Sequence, residues 1–217
     1  MPLIIVADFL QTHLTKHFTP MNMGPVSTDK FKKFLKDSFK KNSYILDFGC
    51  GVGYFSELFN PKKYIGIDIN KNFIKLAKSR YSKYNFFNFE EKFILKNYKN
   101  KINTILINNV IHHLNNKQIE NNFLFLKKNC KKNTSILIIE PLLVNNFFSF
   151  EFFMKALDIG NYIFGKKETI KRLKKFVNIK SINVKKFSIG KTLILKCKFK
   201  NHNQCHRDGR CRSHSSW

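Results

Sequence analysis

Apolar residues arrive along this chain in two alternating rhythms. Short continuous runs at 44–48, 64–68, 84–88, 104–108 and 135–140 read as strands, the last stopped by Pro141. Between them apolar positions recur at helical spacing. Residues 28–40 carry Phe31, Phe34, Leu35 and Phe39, with Ser27 as the N-cap; 71–81 carry Phe73, Ile74 and Ala77 on one face; 117–130 reads as a third helix. The first strand ends in a glycine-rich turn, after which a helical stretch through Leu58 is expected. Strands apolar on both faces, alternating with helices, predict a parallel sheet covered on both sides, a doubly wound α/β domain. Downstream the alternation breaks. Residues 147–157 and 168–176 read as helices, while 179–187 and 192–199 read as two β runs joined near Gly190, an antiparallel pair closing one sheet edge.

Length and composition narrow this picture. With 217 residues, 43% hydrophobic and 15% aromatic, the chain can bury one core without disulfides or metal, and a mainly disordered chain is excluded. The organisation expected is an irregular extension over 1–26, one domain over 27–199 and a disordered tail over 200–217. The formal net charge of +26 suggests nucleic acid, yet 35 of the 40 basic residues are lysine, scattered in pairs, and they accompany 24 Phe, 25 Asn and 3 Ala. Such a bias is what an AT-rich genome writes, so the charge weighs little. From Asn201 on the tail differs: residues 201–217 have no Lys but three of the five Arg, three of the seven His and the single Trp. Its Cys205, His206, Cys211 and His214 lack a short Cys pair, so no metal site is expected. An odd count of five cysteines without a repeating framework, no basic residue ahead of the apolar start and no unbroken membrane-length run imply a cytoplasmic protein. The aromatic stretch 147–153 is expected to pack on the sheet edge, with peripheral membrane contact as the alternative.

Candidate chemistry concentrates in LDFGCGVGYF, residues 46–55. Gly49, Gly51 and Gly53 directly follow the first strand, where a backbone without Cβ atoms turns tightly and approaches a ligand closely. Asp68 closes the second strand 19 residues after Gly49, the spacing at which a carboxylate meets ribose hydroxyls across the strand ends. A dinucleotide fingerprint would place a third glycine where Tyr54 stands.

The stretch LDFGCGVGYFSELF followed by YIGIDINKNFIKLAK resembles the first motifs of class I S-adenosylmethionine-dependent methyltransferases. NTILINNVIHHL is similar to that family's fourth strand and SILIIEPLL to its fifth, so the resemblance spans about residues 27–199 in order. It implies a Rossmann-like, mostly parallel seven-stranded sheet and S-adenosylmethionine as cofactor. By position, Asp47 and the three glycines would line the methionine and ribose side, Asp68 would hold the ribose diol, and Ile69 would lie against adenine. Asn88 would take the place of the acid that often binds the adenine amine, and Asn108 would sit below the methionine moiety. DIGNYIF, residues 158–164, resembles a segment of a small-acceptor subgroup found among glycan-biosynthesis functions, with both of its arginines replaced by Ile159 and Phe164.

A hydroxyl acceptor must lose its proton, and histidine suits that task. His112 and His113 follow the fourth strand at the rim where ligands bind, and the resemblance favours His113 as the one facing the pocket. The function expected is methyl transfer to a small-molecule or glycan/lipid-precursor acceptor. RNA or protein methylation is the alternative that the charge supports.

Overall fold

The computed structural model describes residues 25–142, 164–187 and 191–200. Its first element is helix α1 (Pro25–Ser38), which begins ahead of the expected start. Then β1 (Ile45–Phe48), β2 (Tyr64–Asp68), α2 (Lys71–Arg80), β3 (Asn85–Asn88), β4 (Thr104–Asn108), α3 (Asn116–Asn129) and β5 (Ser135–Pro141) follow in order. The chain continues through α4 (Lys166–Leu173), β6 (Val177–Lys186) and β7 (Lys191–Phe199).

All seven strands form one sheet in the order β3-β2-β1-β4-β5-β7-β6. The first five are parallel; β7 runs antiparallel to β5, and β6 antiparallel to β7. The antiparallel closing pair predicted from the two late β runs is present, and the protein has the doubly wound α/β architecture that the strand rhythm predicts.

Period-two geometry divides the sheet's side chains between two cores. Leu46, Phe48, Ile65, Ile67, Ile105, Ile107, Ile136 and Ile138 share one cluster with Ile119, Phe123 and Leu126 of α3 and Leu173 of α4. Ile45, Tyr64, Leu106, Leu137 and Ile139 share the other with Leu35 of α1 and Ile74 and Ala77 of α2. Since β1 lies between β2 and β4, successive crossovers leave it in opposite directions. In open α/β sheets ligands bind at such a switch point, here outside the carboxyl ends of β1 and β4.

One expected element is not formed. After the glycine turn there is no α-helix but two 3-10 turns, Ser56–Leu58 and Pro61–Lys63. The positive φ of Gly53 stops helical geometry upstream, while Pro61 lacks the amide that a continuing helix would need. Asn60 then caps the second turn by accepting from the Lys62 amide at 2.9 Å. Any anion-binding amides here therefore belong to the loop itself. A further 3-10 stretch, Phe89–Tyr98, follows β3 and opens with a capping box between Asn88 and Glu91.

The expected helix at 147–157, the aromatic stretch 147–153, the joint at Gly190, the N-terminal extension and the Cys/His tail lie outside the described residues, as does 158–164 apart from Phe164. Among the described residues no helix is long and apolar enough to cross a membrane.

Candidate functional site

The glycine loop is fastened to β2 rather than to a helix. Gly49 N and Cys50 N both donate to the carbonyl of Ile67, at 2.8 and 3.1 Å. Gly49, Gly51 and Gly53 all have positive φ, at 80°, 54° and 75°. They differ in what surrounds them. A Cβ on Gly49 would overlap Val110 Cγ2 from the loop after β4, and one on Gly53 would meet the Phe86 ring at 2.7 Å. A Cβ on Gly51 would meet no atom of the described residues within 4 Å, so the loop's open side lies there. Cys50 fits because Gly66 beside it has no side chain, and burial, with the neighbouring charges of Asp47 and Asp68, pushes its thiol up. It is a packing residue with no thiolate character.

Asp68 braces this loop. Its Oδ2 accepts from the Gly51 amide at 2.8 Å and its Oδ1 from the Asn70 amide at 2.9 Å, while Asn70 caps α2 through the amides of Asn72 and Phe73. Burial pushes the Asp68 carboxyl up, and the backbone amides of Asn70, Gly51 and Ile69 pull it back. The Gly51 and Asn70 bonds take one acceptor position on each oxygen, and a carboxylate has about four. Ile69 is 80% exposed at the mouth. Its carbonyl accepts from Asn88 Nδ2 at 2.9 Å, and Asn88 Nδ2 also reaches the Asp68 carbonyl at 3.2 Å. With its Oδ1 accepting from the Glu90 amide at 3.1 Å, the Asn88 amide is spent on holding the rim.

Asp47 lies buried in β1. Its Oδ2 accepts from the Tyr64 hydroxyl at 2.7 Å. Burial pushes its carboxyl up to about 7, against the lowering effect of the Tyr64 hydrogen bond and with a further upward push from Asp68. Asn108, ending β4, holds a buried Oδ1 that no donor among the described residues reaches.

The loop after β4 carries the histidines. Glu140 of β5, 2% exposed, accepts from the amides of Val110 at 2.9 Å and Ile111 at 2.8 Å through Oε1. Its Oε2 takes the His112 amide at 3.3 Å and His112 Nδ1 at 2.7 Å. His112 is 6% exposed; His113 is exposed, its ring centroid 4.0 Å from that of His112. Farther along, Arg172 of α4 donates to the Leu114 carbonyl at 2.6 Å and to Asn116 Oδ1 at 2.8 Å, tying the loop's end to the C-terminal half. Sequence reasoning missed Glu140 and Tyr64. A lone carboxylate inside the apolar run SILIIEP was a usable signal, since a buried acid in a core strand must find donors.

The chain thus offers an orphaned buried acceptor at Asn108, an open cradle above Gly51 and two carboxylates at the ends of β1 and β2. That donor set suits S-adenosylmethionine, which carries two cationic centres and a ribose diol.

Comparison with known proteins agrees. A family model described as a methyltransferase domain matches residues 22–161. No curated protein sequence matches significantly. Among solved structures, the PH0226 protein of Pyrococcus horikoshii is similar with a TM-score of 0.64 at 16% identity, covering 89% of this chain and 99% of that one. Mitomycin 7-O-methyltransferase superposes with a TM-score of 0.63 at 13% identity, over 87% of this chain and 60% of its own. Human N-acetylserotonin methyltransferase, solved in complex with S-adenosylmethionine, gives 0.55 at 14% identity, over 78% and 52%. With the family's domain covering well over half of the chain on a sheet of matching topology, this protein belongs to the methyltransferase-domain family as a class I S-adenosylmethionine-dependent methyltransferase.

Proposed function

We propose that the enzyme methylates a hydroxyl of a small-molecule acceptor, with His112 as the general base. The observation that carries this reading is the 2.7 Å contact between His112 Nδ1 and the buried Glu140 carboxylate. A carboxylate on Nδ1 keeps the proton there and makes Nε2 the basic nitrogen, the arrangement by which an imidazole is oriented for proton abstraction. The cofactor supplies an already activated sulfonium methyl group. What remains for the chain is to bind it, align the acceptor and take one proton. Asp68 would hold the ribose diol, Ile69 would cover the adenine, and Asp47, Asn108 and the glycine backbone would line the methionine side. Asn88 would act there by holding the Ile69 backbone in place. His112 would take the acceptor's proton at Nε2 as the C–O bond to the methyl forms and the methyl's bond to sulfur breaks, leaving the neutral thioether S-adenosylhomocysteine. His113 is the base in the second form of this reading, favoured by its exposure. Two of the structural neighbours are named for small acceptors, which supports the class of substrate without identifying it.

RNA is the competing acceptor. It is favoured by the exposed lysines 180, 185, 186, 191, 196 and 198 on β6 and β7, strands that contain no acid. Methyl-labelled cofactor incubated with separate small-molecule, lipid, RNA and protein fractions tests these readings. Label enters a small-molecule fraction. His112→Ala lowers the chemical step by about 10²–10⁴ while sparing cofactor binding. Full activity in His112→Ala with loss in His113→Ala moves the base by one residue. Labelled RNA with a steep salt dependence replaces the small-molecule reading.

A further inference from the structure

Asn109 leaves β4 with a φ of 56°, the one non-glycine in the left-handed region among the described residues. Val110 follows at φ −120° and ψ −40°. A left-handed residue followed by right-handed ones turns successive amides to one side and makes a concave nest for an anion. Here the chain fills its own nest. The Glu140 carboxylate, 28 to 30 residues downstream, takes the amides of Val110, Ile111 and His112 together with the His112 ring.

The position of this loop bears on the other side of the crevice. Asn109 N also donates to the Ile139 carbonyl at 2.9 Å, so both strands grip the start of the turn. Val110 then sits against Gly49, so closely that a Cβ there would overlap its Cγ2. Gly49 in turn donates to Ile67 and begins the loop whose Gly51 amide reaches Asp68. A continuous chain of contacts runs from Glu140 through Val110 and Gly49 to Asp68.

We propose that Glu140 is a positioning residue for the cofactor: by occupying the amide nest it holds Val110 against Gly49 and so fixes the glycine loop in its receptive shape. This role is separate from orienting His112, and it concerns the cofactor alone, so it stands or falls independently of the acceptor. Orientation of a base affects proton transfer and leaves cofactor affinity alone. A clamp on the loop sets affinity before any acceptor arrives.

The test is calorimetric binding of S-adenosylhomocysteine to the full chain, with amide hydrogen exchange at Val110, Ile111 and His112 in the ligand-free protein. Glu140→Ala binds at least about tenfold more weakly than wild type, since hydrogen bonds to a charged acceptor are the strong ones. It also loses exchange protection at those amides. Glu140→Gln retains an oxygen for Val110 and Ile111 but turns an NH2 toward His112, and falls between wild type and Glu140→Ala. His112→Ala removes only the ring contact and leaves the three backbone amides on Glu140, so it keeps its affinity. Leu126→Ala, which opens a cavity under α3 and leaves every Glu140 hydrogen bond in place, controls for general destabilisation and also keeps its affinity. Wild-type affinity and protection in Glu140→Ala overturn the proposal. If Glu140→Ala does not fold, wild-type affinity in Glu140→Gln overturns it. So does a loss in Leu126→Ala or His112→Ala equal to that of the Glu140 variants.

Discussion

Gly49→Ala and Gly51→Ala make a matched pair: the same methyl group is added, two residues apart, to two backbones in the left-handed region. Forcing an L side chain into that conformation costs about 1–2 kcal/mol at either position. At Gly51 nothing among the described residues lies within 4 Å of the new methyl, so backbone strain is the cost to stability. For a chain of this size that lowers Tm by about 2–8 °C. At Gly49 the methyl overlaps Val110, which cannot retreat while its own amide is held by Glu140 at 2.9 Å. Overpacking adds about 1–3 kcal/mol to the strain, and the loss in Tm grows to about 4–20 °C. Ligand binding reverses in emphasis. The methyl of Gly51→Ala stands in the open space above the loop, where the proposed cofactor site lies, so this variant loses affinity out of proportion to its stability. Scanning calorimetry and titration with S-adenosylhomocysteine measure both quantities on each variant. Wild-type affinity in Gly51→Ala, or a Gly49→Ala protein no less stable than Gly51→Ala, refutes the geometry argued for the loop.

Two further outcomes follow from the carboxylates. Asp47 has a folded value of about 7 against an ordinary 3.8, so between those values the folded protein keeps a proton that the unfolded chain has released. Wild-type stability in the absence of cofactor therefore falls as pH rises through that window, by at most about 4 kcal/mol. Asp47→Asn lacks this contribution, so its stability relative to wild type improves from pH 4.5 to 7.5; a constant difference across paired melts would contradict the assignment. Asp68→Ala removes both the proposed ribose acceptor and the bonds to the Gly51 and Asn70 amides, and affinity for S-adenosylhomocysteine drops about 10- to 100-fold. Unchanged affinity in a folded Asp68→Ala protein would remove Asp68 from the site.

The strands were legible because parallel strands buried on both faces leave continuous apolar runs that solvent-exposed segments do not imitate. β2 and β4 fall on the residues expected, and β1, β3 and β5 differ by a residue at one end. The helix expected after the glycine turn failed for a local reason. Tyr54, Phe55, Leu58 and Phe59 do recur at helical spacing, but Gly53 and Pro61 confine them to a segment too short for a stable helix. The site was legible as far as it is local in sequence: the glycines, Asp68 and the histidine pair. It was not legible where it depends on register. Glu140 reaches His112 because β4 and β5 align Asn108 with Ile139, a pairing across about thirty residues that periodicity does not specify.

The two buried acids of the parallel sheet end in opposite electrostatic conditions, and that contrast separates their tasks. Glu140 has four donors from its own chain, so the cost of removing its charge from water is met internally and the carboxylate can fix a loop. Asp47 has the Tyr64 hydroxyl and little else, which is why burial carries its carboxyl up to about 7. A carboxylate left short of donors at a crevice gains more from an incoming cation than one already saturated. In the proposed arrangement the positively charged end of the cofactor lies on the Asp47 side, where it would lower that carboxyl and hold it ionised. Glu140 has no such need and stays with the loop. In the same proposed arrangement the acceptor would enter from the β4 and β5 side, where the imidazole stands.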